Sequence, residues 1–126
     1  MSRSLIAFLL FGLIPALHAA GFMPQSIGPF HRVGVVKDTP KPPDVFEEFG
    51  FLSAESADFR GRGAKGVLTV YQMKDASGAL AAWDWIRPAN SKHCGLADRC
   101  AEEGNRRLVL DANYLLDFRG FKPTPA

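Results

Sequence analysis

Only two cysteines, three histidines and two tryptophans occur among the 126 residues. The cysteines stand as Cys94-Gly95-Leu96-Ala97-Asp98-Arg99-Cys100, a spacing that matches no zinc pattern, no C-x-x-C dithiol and no C-x-x-C-H haem attachment. G-x-S-x-G and H-E-x-x-H are both absent, so neither a hydrolase nucleophile elbow nor a zinc-protease helix is encoded. Charge of one sign is lacking too. Lys and Arg number 15 against 13 Asp and Glu, a net charge of +2, which supports neither a nucleic-acid footprint nor an acidic solvating tail. No apolar run reaches the ~20 residues that a membrane-spanning helix needs. There is no internal repeat and no long low-complexity tract. A coiled coil, a collagen, a multi-pass membrane protein and a large multidomain enzyme are excluded on these grounds.

What is present begins with an address. Arg3 gives a short positive start, Leu5 to Leu17 form an apolar run broken by Pro15, and the small residues Ala19 and Ala20 follow. This is the layout of a secretory signal peptide over residues 1–20. Cleavage after Ala19 puts Leu17 at the minus-three position, and cleavage after Ala20 puts His18 there. No cysteine near the junction is available for lipid attachment. The expected mature product is periplasmic or secreted, with no stable membrane anchor. Much of the 47% hydrophobic content belongs to this segment, and without it the share falls to about 42%, the lower edge of ordinary globular usage.

Export decides how the cysteines read. In an oxidising compartment Cys94 and Cys100 have each other as partners, and a disulfide is the favoured reading. The chain-entropy argument gives such a short loop about 2.4 kcal/mol of stabilisation. A metal site of His93, Cys94 and Cys100 is the alternative, with a fourth ligand drawn from His31 or a carboxylate.

Residues 21–43 carry Pro24, Pro29, Pro40, Pro42 and Pro43 and read as an extended arm whose one candidate strand is His31 to Val36. A single α+β domain is expected over 44–119. Asp44, Glu47 and Gly50 spell the cap, capping box and closing glycine of a short helix. Ala54 to Arg60 and Val67 to Met73 read as a hairpin. From Asp75 or Ser77 to Arg87, with Pro88 as the stop, apolar residues Ala76, Ala79, Leu80, Ala82, Trp83 and Ile86 share one helical face. After a loop that holds the cysteines, Arg106 to Asp111 and Tyr114 to Arg119 form another hairpin, turned at Ala112-Asn113, where Asn113 suits left-handed geometry. Residues 120–126 read as a flexible tail. The order predicts an antiparallel sheet of four to five strands with one main helix packed on one face, a ferredoxin-like or related two-layer sandwich.

The segments Phe46-Glu47-Glu48-Phe49-Gly50-Phe51, Ala54 to Phe59, Leu68 to Trp83, Trp85, Arg87-Pro88 and Asn113-Tyr114-Leu115-Leu116 resemble a family of small exported bacterial proteins known only as a domain of unknown function. The resemblance covers roughly Val45 to Phe118, and its most specific piece is the passage ending in Trp-x-x-Arg-Pro. Family members extend further at the C-terminal end, so the chain reads as a shortened relative. The resemblance implies export and fold. It brings no catalytic residue, substrate or cofactor, and no cofactor is expected.

Gly61-Arg62-Gly63-Ala64-Lys65-Gly66 spells G-x-G-x-x-G, but a strand follows it where a dinucleotide site needs a helix N-terminus. What remains is a basic hairpin tip, with Arg62 and Lys65 as candidates for an anion-binding or partner surface. Trp83 belongs to the core stripe. Trp85 falls off that stripe, so it must be covered by the 90–100 loop, stack on Arg87 or Pro88, or meet a partner. Carboxylates at Glu47-Glu48, Glu102-Glu103 and Asp111 with Asp117 are expected on a solvated surface. The expected function is that of a non-catalytic exported binding or interaction protein of the cell envelope, its partner an envelope protein or small ligand. The alternative is a small hydrolase or carbohydrate-binding enzyme that uses carboxylates near Trp85.

Overall fold

The computed structural model describes residues 23–36 and 42–121, so the expected signal peptide lies outside the described residues. Eight strands form one antiparallel sheet: β1 (Ser26–Ile27), β2 (Phe30–Val36), β3 (Phe51–Gly61), β4 (Ala64–Met73), β5 (Lys92–His93), β6 (Arg99–Glu103), β7 (Arg106–Asp111) and β8 (Tyr114–Arg119). Among the described residues two short helices accompany them, α1 (Val45–Glu48) and α2 (Ala76–Ile86). The spatial order is β1-β2-β3-β4-β8-β7-β6-β5. Two meanders, β1 to β4 and β5 to β8, are thus joined through the β4–β8 pair.

This overturns the expected sheet of four to five strands with one main helix, and with it the ferredoxin-like arrangement. The extra strands are β1, β5 and β6, which come from the proline-rich arm and from the segment that reads as a cysteine loop. Arg99-Cys100-Ala101-Glu102-Glu103 carries no β-branched or aromatic residue, so propensity does not mark it as a strand. It is a strand because β7 pairs with it along its whole length, from Arg99↔Leu110 to Glu103↔Arg106.

Turn chemistry fixes the two long hairpins. Gly61 pairs with Ala64 across Arg62 and Gly63, whose φ angles are 54° and 73°, so the basic tip is a two-residue turn of the kind whose twist suits a hairpin. Asp111 pairs with Tyr114 in the same way. There the left-handed residue is Ala112 (φ 53°), not the expected Asn113. Asn113 instead ties the turn to β4: its side-chain amide donates to the Met73 carbonyl at 2.9 Å, and its own carbonyl accepts from the Met73 N–H at 2.8 Å.

Topology places α2. The chain leaves β4 in the middle of the sheet and has to reach β5 at its far edge, so the helix lies across β4, β8 and β7. Eleven residues at 1.5 Å each span about 16 Å, roughly the width of the strands it crosses. Asp75 caps it as expected, its carboxylate accepting from the Gly78 N–H at 2.7 Å. Asp44 does not cap α1: it is itself helical in φ and ψ and makes no side-chain cap bond. Gly50 does close that helix, at φ 89°.

Both faces of the sheet are buried. Under α2, Ala79, Ala82 and Trp83 meet Met73, Ala101, Leu108 and Leu115, with Phe46 of α1 beside them. Among the described residues no helix covers the opposite face. Its core of Ala57, Phe59, Leu68, Val70, Val109 and Phe118 is closed by residues from both ends of the sheet. Met23, Ile27 and Phe30 come from the β1 end, Leu96, Ala97 and the cysteine pair from the β5 end, and Phe121 from just beyond β8. Phe121, expected in a flexible tail, is 2% exposed and stacks on Phe30 with ring centroids 4.9 Å apart. Residues 122–126 lie outside the described residues.

Candidate functional site

The row of side chains directly under α2 runs Ala54, Tyr71, Leu115, Leu110 and then Arg99. At its outer end an arginine stands where the pattern would continue with an apolar residue. Trp83 of α2 lies above it, 6% exposed, with the Arg99 guanidinium 5.9 Å from its ring centroid. Arg87 follows Trp83 by four residues and so shares its helical face. Its guanidinium sits 4.6 Å from the same ring. One indole therefore carries two guanidinium groups, a cation–π arrangement worth about 0.5–1 kcal/mol per exposed pair. The Trp83 indole N–H is buried and has no hydrogen-bond partner among the described residues.

These residues wall a shallow concavity of about 220 Å³. Trp83 and Arg87 form its helix side, residues 91–93 its rim and residues 98–101 its far wall. The disulfide shapes that wall. Cys94 and Cys100 are bonded, their Cα atoms 5.1 Å apart, and the Cys94 N–H donates to the Cys100 carbonyl at 3.0 Å. The ring so closed presents Asp98 and Arg99 outward and packs Leu96 and Ala97 into the core of the other face. His93 contacts the Asp98 carbonyl at 3.3 Å through Nε2. With both sulfurs bonded to each other, the expected alternative of a metal held by His93, Cys94 and Cys100 has no thiolate to use. Among the described residues no group of three His, Cys, Asp or Glu could hold a metal ion.

The other expected surface residues do not converge. Arg62 and Lys65 are exposed at the β3–β4 tip and do not line the concavity; Arg87 does. Trp85 is 62% exposed, so the 90–100 segment covers Trp83's side of the helix and leaves Trp85 bare. The expected alternative calls for carboxylates near Trp85, whose chain neighbour is Asp84. Asp84 is ion-paired to Arg87 at 3.4 Å, and Asp98 is the one acid lining the concavity. Asp111 and Asp117 alternate to opposite faces of the sheet. Sequence reading missed Arg99, Lys92, Ser91 and Asp98 as lining groups because their strand and rim were read as loop; the run Lys92-His93 with Arg99 was the signal available.

A second polar constellation is structural. Arg106 and Arg119 are cross-strand neighbours, a repulsive placement by itself. Asp117, 4% exposed, lies between them. Arg106 grips it with two bonds of 3.1 Å, and Arg119 reaches Oδ2 at 3.1 and 3.3 Å. One row inward, Ser56 and Thr69 share a hydrogen bond of 2.7 Å. Burial, and after it the Asp117 carboxylate, push the Tyr71 phenol above its ordinary value, while Arg119 and Arg106 pull the other way. Asp117 is held from both strands, so the group clasps β7 to β8.

Among the described residues no helix is long and apolar enough to cross a membrane, and the disulfide is compatible with an extracytoplasmic location. No protein-family model, curated protein or solved structure matches the chain.

Proposed function

We propose that the protein is a non-catalytic, exported binding protein of the bacterial cell envelope, kin to the small exported proteins its sequence resembles, and that it holds a small ligand in the Trp83–Arg99 concavity. The observation that carries this reading is the concavity's make-up. An aromatic face, cations from two elements and a rim hydroxyl at Ser91 meet there, which is a recognition set. His93, the lining imidazole, has its Nε2 against the Asp98 main-chain oxygen. The signal-like N-terminus and the disulfide support the export part.

The test is native mass spectrometry of the mature protein after incubation with a small-molecule envelope extract, run beside Ser91→Trp, which fills the concavity without changing a charge. A retained adduct that Ser91→Trp abolishes is the expected result. An adduct unaffected by Ser91→Trp, or turnover of substrate by the pure protein, overturns the reading.

A further inference from the structure

The concavity's charge balance identifies the class of ligand. Arg99 lines it without an ion-pair partner among the described residues. Lys92 stands opposite Glu102 in the β5–β6 pair, so alternation carries its side chain to the face away from Arg99, where Arg107 engages Glu102 at 3.3 Å. Arg87 has only Asp84, through a single 3.4 Å contact between side chains 41% and 57% exposed, and such a pair holds its partners weakly. Against these two guanidinium groups stands one lining acid, Asp98, whose main-chain oxygen already faces His93. Resting on the proposed binding role of this concavity, we infer that it is an oxyanion site, in which Arg99 and Arg87 embrace a compact carboxylate or phosphoryl group and Trp83 holds the two guanidinium planes ready.

The physical case has three parts. Stacking on one indole restricts both arginine side chains before a ligand arrives, which lowers the ordering cost of binding. Gathering like charges round one ring raises the energy of the empty site, and an oxyanion among them relieves that repulsion. A guanidinium also presents paired N–H donors matched to two oxygens of a carboxylate or phosphoryl group. The C-terminal end of α2 is the negative end of that helix, and Arg87 stands at its C-cap. The anion therefore sits toward β6, closer to Arg99.

The experiment uses the mature protein carrying Trp85→Phe, so that Trp83 is the single tryptophan. Inorganic phosphate, acetate and neutral glucose are titrated at fixed ionic strength, followed by Trp83 fluorescence and by backbone amide shifts. The expected result is saturable change from an oxyanion, confined to residues 83–101, with no response to glucose. Arg99→Gln weakens the binding by about tenfold or more, the loss of a charge-assisted bond. Arg87→Gln gives a second variant on the other element, and the exposed Arg60→Gln on β3 leaves the affinity as it was. Tighter phosphate assigns a phosphoryl ligand and tighter acetate a carboxylate. Silence toward both, an equal response to glucose, or an equal loss in Arg60→Gln overturns the inference. The two readings fail separately: if an extract adduct is lost in Ser91→Trp while neither anion binds, the site stands and the ligand class falls. If the anions bind Ser91→Trp unchanged, the site itself falls.

Discussion

Gly66 lies in β4 directly opposite Phe59, and the ring of Phe121 occupies the space a side chain at position 66 would need. A Cβ built on Gly66 would fall 2.6 Å from Cγ of Phe121 and nearer still to its ring edge. Gly66→Ala therefore expels the ring from a cluster in which it touches Phe30, Phe59 and Phe118 at centroid distances of 4.9, 6.1 and 5.8 Å. A buried phenylalanine removes about 150–250 Å² from water, which at about 25 cal/mol per Å² is about 4–6 kcal/mol, and since alanine keeps the Cβ about 4 kcal/mol of this is lost on truncation. Phe121→Ala should cost that much. Gly66→Ala should cost about 3 kcal/mol, because alanine recovers about 0.5–1 kcal/mol of backbone entropy that glycine forfeits in a strand. In the double variant the methyl enters space already vacated, so the cost should be no more than that of Phe121→Ala alone. The assay is urea unfolding at 25 °C with the disulfide intact, followed by far-ultraviolet circular dichroism. Additive costs near 7 kcal/mol, or a Gly66→Ala variant as stable as the parent, would refute the reasoning.

Three further outcomes are expected. Replacing both cysteines with alanine should lower the unfolding free energy by about 2.4 kcal/mol, measured by the same denaturation against the oxidised parent. Asp117→Ala should destabilise by about 3 kcal/mol, since it strands two arginines against each other. Arg119→Ala should cost under about 1 kcal/mol, because that side chain is 59% exposed; thermal melts at low and high salt separate the two. Because the Tyr71 phenol is raised in the folded state, the unfolded chain loses that proton first as pH rises. Stability is then full below the ordinary tyrosine value near 10 and falls as pH climbs through the higher folded value. Tyr71→Phe should flatten that alkaline fall in a pH series of urea midpoints.

The elements legible from sequence are those in which local preference and tertiary demand agree. The hairpin of Arg106–Asp111 and Tyr114–Arg119 was readable to the residue because alternation and a two-residue turn both mark it. The helix from Ala76 was readable from its cap at Asp75 and its apolar stripe. Arg99–Glu103 was not, because it is a strand by pairing and not by composition. That single omission also hid the candidate site. Trp83 was rightly placed in the core, at 6% exposure, yet its face is also the platform of the concavity. The sequence pattern drew attention to Trp85, the tryptophan that neither the core nor the concavity uses.

The sheet tapers from eleven residues in β3 and ten in β4 to two residues at each margin, β1 and β5. At the β5 border a margin of that length offers a foreign strand almost no unsatisfied amide or carbonyl groups to zip onto, and Lys92 adds a charge against apolar stacking, whereas β1 covers only the first residues of β2. A broad antiparallel sheet is otherwise a template for fibrous self-association. The short β5 margin lets the sheet remain wide in the middle and inert at that border.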